Sequence, residues 1–144
     1  MASTIVVGYD GSDSAQRAVD FAVRIAKAQG KSLVIAHVLE WSPYSFLTPD
    51  EIEERHKRRA EELNRAETAL LNPLVSSLAG SGVEITTALK YGHIAETLVK
   101  VARDVEASHV VIGRTGHSML ESRLFGSVAG TLAQAAPAPV TIVP

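Results

Sequence analysis

The residues best suited to chemistry lie between Gly113 and Ser127. Gly113-Arg114-Thr115-Gly116 follows a short apolar run, and Gly126-Ser127 stands just ahead of a helical pattern. Glycine lets backbone N–H groups come close to an anion and accepts positive φ without penalty. The start of a helix adds unpaired N–H donors and the positive end of its dipole. The Ser127 hydroxyl is a further donor. Turn glycines and a serine cap would explain each residue singly. All of them in one strand–loop–helix unit point instead to a phosphate site. The Walker spacing Gly-x4-Gly-Lys-Ser/Thr is absent, so the loop is not that of a P-loop machine.

Asp10 closes the first apolar run, and two roles are open to it: capping the next helix, or bonding a ribose or adenine edge. Asp10, Asp13 and Ser14 have the look of an acidic receiver pocket, but no later phosphoacceptor aspartate and lysine accompany them. Gly11-Ser12-Asp13-Ser14 lacks the Ser-Gly-Gly start of a pyrophosphatase loop. The five histidines, His37, His56, His93, His109 and His117, show no metal-ligand spacing. His37 reads as a core residue with a satisfied hydrogen bond, and His93 as a helix cap. His56 and His109 carry no evident role, whereas His117, inside the loop, is the one to test against phosphate. No nucleophile, base and orienting group assemble in the sequence, and no acid partner for magnesium accompanies the loop. Binding is thus favoured over turnover. A slow ATPase or adenylate-handling enzyme is the alternative, and a nucleotide-free interaction protein the third reading.

These residues are carried by two alternating textures. Five runs rich in β-branched residues, Thr4–Tyr9, Ser32–Val38, Val83–Tyr91, Ser108–Ile112 and Pro139–Val143, predict strands. Between them apolar residues recur at helical spacing. Ala15, Ala18, Val19, Ala22, Ile25 and Ala26 mark the first helix, with Asp13 and Gln16 at capping-box spacing and Gly30 as its stop. Thr48-Pro49-Asp50-Glu51 opens the second. Its pairs Glu51–Arg55, Glu53–Lys57, Glu54–Arg58 and Glu61–Arg65 read as a solvated face, and Leu63, Ala66, Leu70, Leu74 and Leu78 as its buried stripe. Pro73 should kink or restart that helix near Asn72. Ile94, Leu98, Val101, Ala102 and Val105 mark a third helix, and a fourth begins near Gly126-Ser127.

Strands alternating with helices require a parallel sheet covered on both faces, with ligands beyond the carboxyl ends of the strands. Asp10, the 39–48 loop, Gly92-His93 and Gly113 onward occupy those ends. Six of the seven aromatic residues, Tyr9, Trp41, Tyr44, Phe46, Tyr91 and Phe125, cluster there, which suggests an apolar rim and a mobile lid over residues 39–48. The chain has 144 residues, 46% of them hydrophobic and 21% charged, as expected of a single domain spanning 1–144. A net charge of −2 gives no reason to expect nucleic-acid binding, and no run of apolar residues is long enough for a membrane span. With no cysteine, disulfides and thiolate metal sites are excluded. No signal peptide is readable at the start, and cytoplasm is the expected compartment.

At this point the chain resembles the universal stress protein family, in its ATP-binding branch. The likeness rests on Gly113-x2-Gly116-x9-Gly126-Ser127, Val7-Gly8-Tyr9-Asp10-Gly11-Ser12, His37-Val38 and the closing Ala136-Pro137-Ala138-Pro139-Val140. It implies an α/β fold, a Rossmann-like doubly wound five-stranded parallel sheet of order 3-2-1-4-5 with four helices. It also implies ATP, or AMP or ADP, at the junction of the first and fourth strands, with any Mg2+ held mainly by the phosphates. By that resemblance Gly8, Tyr9, Asp10 and Val38 would line adenine and ribose, and Ile112 and Gly113 would border the ribose. Gly116, Gly126, Ser127 and the Val128 N–H would hold phosphates. Arg114 and His117 fill places where the family often has small or basic residues. In the implied order the last strand, Pro139–Val143, is an edge without charge, which leaves Thr141 and Ile142 open to a homodimer through residues 139–143.

Overall fold

The computed structural model describes residues 3–40, 48–115 and 128–144. Its elements are β1 (Thr4–Gly8), α1 (Asp13–Gln29), β2 (Ser32–Glu40), α2 (Pro49–Arg65), α3 (Asn72–Ser77), β3 (Ile85–Gly92), α4 (Ile94–Asp104), β4 (His109–Gly113), α5 (Gly130–Ala135) and β5 (Val140–Val143). A π-type turn, Ala66–Leu71, joins α2 to α3 as one helical arm, so among the described residues the strands are linked by four helical segments. The sheet order is β3-β2-β1-β4-β5, and every pairing is parallel.

Side chains of successive strand residues go to opposite faces, and the central strands feed two cores. Ile5, Val7, Leu33, Ile35 and Val111 pack against Ala18, Val19 and Ala22 of α1, with Leu71 and Leu74 beside them. Val6, Val34, Ala36, Val110 and Ile112 pack against Leu98, Val101 and Ala102 of α4 and Leu132 of α5 on the other side. Burial on both faces explains why β1, β2 and β4 read as nearly unbroken apolar runs. Each buried valine, leucine or isoleucine among them contributes about 1.5–3 kcal/mol of transfer free energy.

Local signals act largely as the residues dictate. Gly30 ends α1 at φ 65, and Thr48 caps α2 by accepting from Glu51 N–H at 3.2 Å, with Pro49 behind it. The cap of α1 is Ser12, which accepts from Ala15 N–H at 3.1 Å, so Asp13 is the first helical residue and not the cap. Beta2 runs to Glu40, two residues beyond the expected end, because β3 pairs with it as far as Glu40↔Gly92.

The helical arm restarts at Asn72, where Pro73 lacks the N–H that would continue the ladder. The wider turn ahead of it advances the stripe by one residue. Leu71, not Leu70, therefore reaches the core at 1% exposure, while Leu70 stays half-buried. Among residues Pro49–Arg65 none is buried, and of the expected ion pairs Glu54–Arg58 closes at 3.6 Å.

At β5, Val110 N–H donates to Pro139 O at 2.9 Å and Arg114 N–H to Val143 O at 2.7 Å. The parallel ladder therefore turns the backbone groups of alternate residues, Thr141 included, toward β4. Val140 and Ile142 supply the free edge, which corrects the expectation that Thr141 belongs to it. No helix among the described residues is long and apolar enough to cross a membrane.

Candidate functional site

The order reverses at β1, which has β2 on one side and β4 on the other. Alpha1 leaves β1 toward one face, and α4 covers the other, so the carboxyl ends of β1 and β4 part over an open cleft. Its walls are Ala36, Val38, Ile94, Leu98, Ile112 and Val128, and its rim is Tyr9, Asp10, Arg114 and Thr115. The cleft is open to solvent, and about 670 Å3 of space, solvent included, lies within it.

Eight of the expected site residues come together here: Gly8, Tyr9, Asp10, Val38, Ile112, Gly113, Arg114 and Val128. Gly116, His117, Gly126 and Ser127 lie outside the described residues, as do Trp41, Tyr44, Phe46 and Phe125 and with them the expected lid. Ile94 and Leu98 of α4 line the cleft without having been singled out for it. Their four-residue spacing reads as a core stripe, and the cleft wall is the outer end of that stripe.

The two glycines of the cleft have different reasons. A Cβ on Gly8 would stand 3.3 Å from Leu98 Cδ1 and 3.4 Å from Ile112 Cγ2, so its absence keeps the floor of the cleft low. A Cβ on Gly113 would meet Ser14 Oγ at 2.6 Å and the backbone of Ser14 and Ala15 at 2.7 and 2.8 Å. Gly113 is thus required by the close passage of α1.

Asp10 is exposed, and its Oδ1 accepts the Ser12 N–H at 2.9 Å, closing the turn at Gly11 (φ 83). It holds the turn that delivers Ser12 to its capping position. Beside it, the Tyr9 phenol is pushed above its ordinary range, first by burial and then by the Asp10 carboxylate. His37 is buried as expected, with Nδ1 2.6 Å from Tyr9 O, which ties β2 to the cleft end of β1.

Two expectations are corrected. Tyr91 does not join the rim: it bonds Glu62 on α2, with Arg59 Cζ 4.9 Å from its ring, and its phenol is pushed up to about 12 by burial and then by Glu62. The strand end that carries it faces the helical arm. His93 occupies the cap position of α4 but makes no side-chain capping bond there. Of the other histidines, His56 is exposed on α2, and His109 Nε2 lies 2.5 Å from Thr141 Oγ1. Among the described residues no group of three or more histidine and acidic side chains is placed to hold a metal ion.

A doubly wound parallel sheet with an apolar cleft at its switch point defines the chain as an α/β protein of the open-sheet class. The Universal stress protein family profile matches residues 1–144, and the chain belongs to that family. A universal stress protein of Thermus aquaticus is 33% identical over 144 residues, covering 99% of both chains. One of Mycobacterium tuberculosis is 30% identical over 97% of this chain, which spans about half, 47%, of that relative. Among solved structures, UspA from Lactobacillus plantarum is 25% identical with a TM-score of 0.81, covering 100% of this chain and 99% of its own. A universal stress protein in complex with cAMP is 30% identical with a TM-score of 0.70, covering 99% and 96%. One from Archaeoglobus fulgidus in complex with dAMP is 25% identical with a TM-score of 0.62, covering 100% and 98%.

Proposed function

We propose that the cleft binds an adenine nucleotide, with ATP, ADP and AMP as candidates, and that the chain acts in stress responses by binding it. The observation that carries this reading is the meeting of Gly8, Val38, Ile112 and Val128 in one apolar cleft at the switch point. The cAMP and dAMP complexes of relatives with the same fold support it. Val38, Gly8, Tyr9 and Asp10 would take adenine and ribose, and Ile112 and Gly113 would border the ribose. Gly116, Gly126, Ser127 and the Val128 N–H would take the phosphates, with Arg114 and His117 nearby. A bound triphosphate would bring its own magnesium. Cytoplasmic residence belongs to the same reading and is checked by fractionation.

Calorimetry with ATP and with AMP tests the proposal. Val38→Trp fills the cleft from its wall and should lower affinity at least about 100-fold. Gly126→Val should abolish phosphate-dependent binding while leaving the circular dichroism unchanged. Wild-type affinity in either variant would refute the assignment. Phosphate release under saturating ATP separates a binding protein from a slow ATPase.

The assembly we infer is a two-fold dimer through β5. Val140 and Ile142 each present an outward N–H and C=O, while Pro144, next on that side, lacks the donor that would extend the pairing. Antiparallel pairing about Thr141 sets Val140 opposite Ile142 of a second copy and covers Ile142, which is 37% exposed. Sedimentation equilibrium at micromolar concentration should give twice 15.3 kDa. A monomer would count against it.

A further inference from the structure

The loop that leaves β4 is rooted in more than the sheet. Arg114 N–H donates to Val143 O at 2.7 Å, the last rung between β4 and β5. Thr115 N–H then donates to Ser14 Oγ at 3.3 Å, and that hydroxyl donates to the same Val143 carbonyl at 3.1 Å. Ser12 Oγ donates to Thr115 O at 3.3 Å, and Arg17 Nε to Pro144 O at 2.7 Å. The start of α1 therefore grips the root of the loop and the end of β5 together. Ser14 is the shared point, 1% exposed and packed against Gly113 without room for a Cβ.

A serine hydroxyl has one proton to give and lone pairs to receive. Here the proton goes to Val143 and a lone pair takes the Thr115 N–H. Moving the loop root or the end of β5 leaves a partner of this buried group unsatisfied, which costs more than the bond is worth in water. Thr115 borders the cleft, and Val143 adjoins Ile142, whose backbone groups form the free edge.

We infer that Ser14 is a positioning residue that couples occupancy of the cleft to pairing of β5 with a second copy. This rests on the nucleotide and dimer readings above. A ligand seated in the cleft against Thr115 steadies that residue, then Ser14 and Val143. The edge is then partly ordered before it pairs, so each event lowers the ordering cost of the other.

The experiment measures the dimer dissociation constant by sedimentation with and without saturating AMP, for wild type and for Ser14→Ala. Wild type should dimerise more tightly with AMP, by on the order of 5-fold or more, the lower end of site-to-site couplings. In Ser14→Ala that ratio should fall to within about 2-fold of unity while both binding events stay measurable. A purely structural role would weaken both events and leave the ratio intact, and that result overturns the inference. Ser14→Cys gives a second measurement, because the chain has no other cysteine. Its labelling by a small thiol reagent should slow when AMP is added, and an unchanged rate overturns the inference. A wild-type chain that binds AMP and dimerises with a ratio of one overturns it alone. Failure to bind AMP, or to dimerise at all, overturns it together with the reading beneath.

Discussion

Beta3 and β5 each leave one row of backbone groups without a partner strand among the described residues, yet they are furnished differently. Beta3 is eight residues long, shows Thr86, Thr87 and Lys90 to solvent, and has its end tied to α2 through Tyr91 and Glu62. Beta5 is four residues long, carries no charge, and exposes Ile142. A lysine on an edge discourages strand addition, because pairing would strip its water. Beta5 has prolines at its limits instead, which restrict how far a partner can extend without excluding one. Length alone would make β3 the more adhesive edge. Charge and the neighbouring arm reverse that order.

The largest effect should come from the glycines near the two edges. Gly113→Ala drives a Cβ into the backbone of α1, which cannot yield locally, and should cost about 3 kcal/mol or more in urea unfolding. Gly92→Ala meets mainly the Thr97 hydroxyl, which can rotate away, though φ 153 remains strained for alanine. About 1–2 kcal/mol is expected there. Equal losses would mean that the contact with α1 does not distinguish the β5 side.

Next comes the charge itself. Ile142→Lys should weaken dimerisation on the order of 100-fold, since two-fold pairing would bring like charges together in a desolvated strip. Lys90→Ile, at the other edge, should leave the dimer constant unchanged and raise light scattering on heating. A dimer that survives Ile142→Lys would place the interface elsewhere.

The smallest effect is that of pH. His109, bonded to Thr141 of β5, is held below its ordinary 6.5 by burial and then by the Lys31 ammonium. As pH falls past about 6.5 the unfolded chain takes the proton first, so stability is lost on the acid side and untouched above it. Between pH 7.5 and 5.5 the Tm of wild type should fall further than that of His109→Gln, by on the order of 1 °C. Tyr91, at the other edge, is pushed up to about 12 by burial and Glu62 and contributes nothing in that interval. Equal slopes in the two proteins would remove His109 from the account.

The alternation of strands and helices was legible because Ile5 to Val7 and Leu33 to Ala36 must be buried on both faces. The strand order was not a matter of periodicity: it came from the resemblance carried by the glycine spacing. Where the reading slipped, a tertiary cause was at work. Leu70 stood in for Leu71 because a π-type turn leaves no mark in a 3.6-residue pattern. Asp13 stood in for Ser12 because both are good caps and only the turn held by Asp10 decides between them. At the cleft, Gly8, Val38 and Ile112 were legible from their places after strands. The packing need behind Gly113 was not, since it depends on how closely a distant serine approaches.

The turn at Ala66–Leu71 sets the angular phase of the helical arm. One residue added to a helix rotates everything beyond it by about 100°, and a π-type turn holds such a residue without passing the rotation to α3. Leu71 and Leu74 stay in register with the sheet, while Pro49–Arg65 is free of any buried position that would fix its own. Loss of a single residue here would turn the wide turn into ordinary α-helix and leave both Leu71 with Leu74 and the Glu62–Tyr91 bond in place. The turn is thus a joint where the arm can lose one residue without changing what it shows to the sheet or to Tyr91.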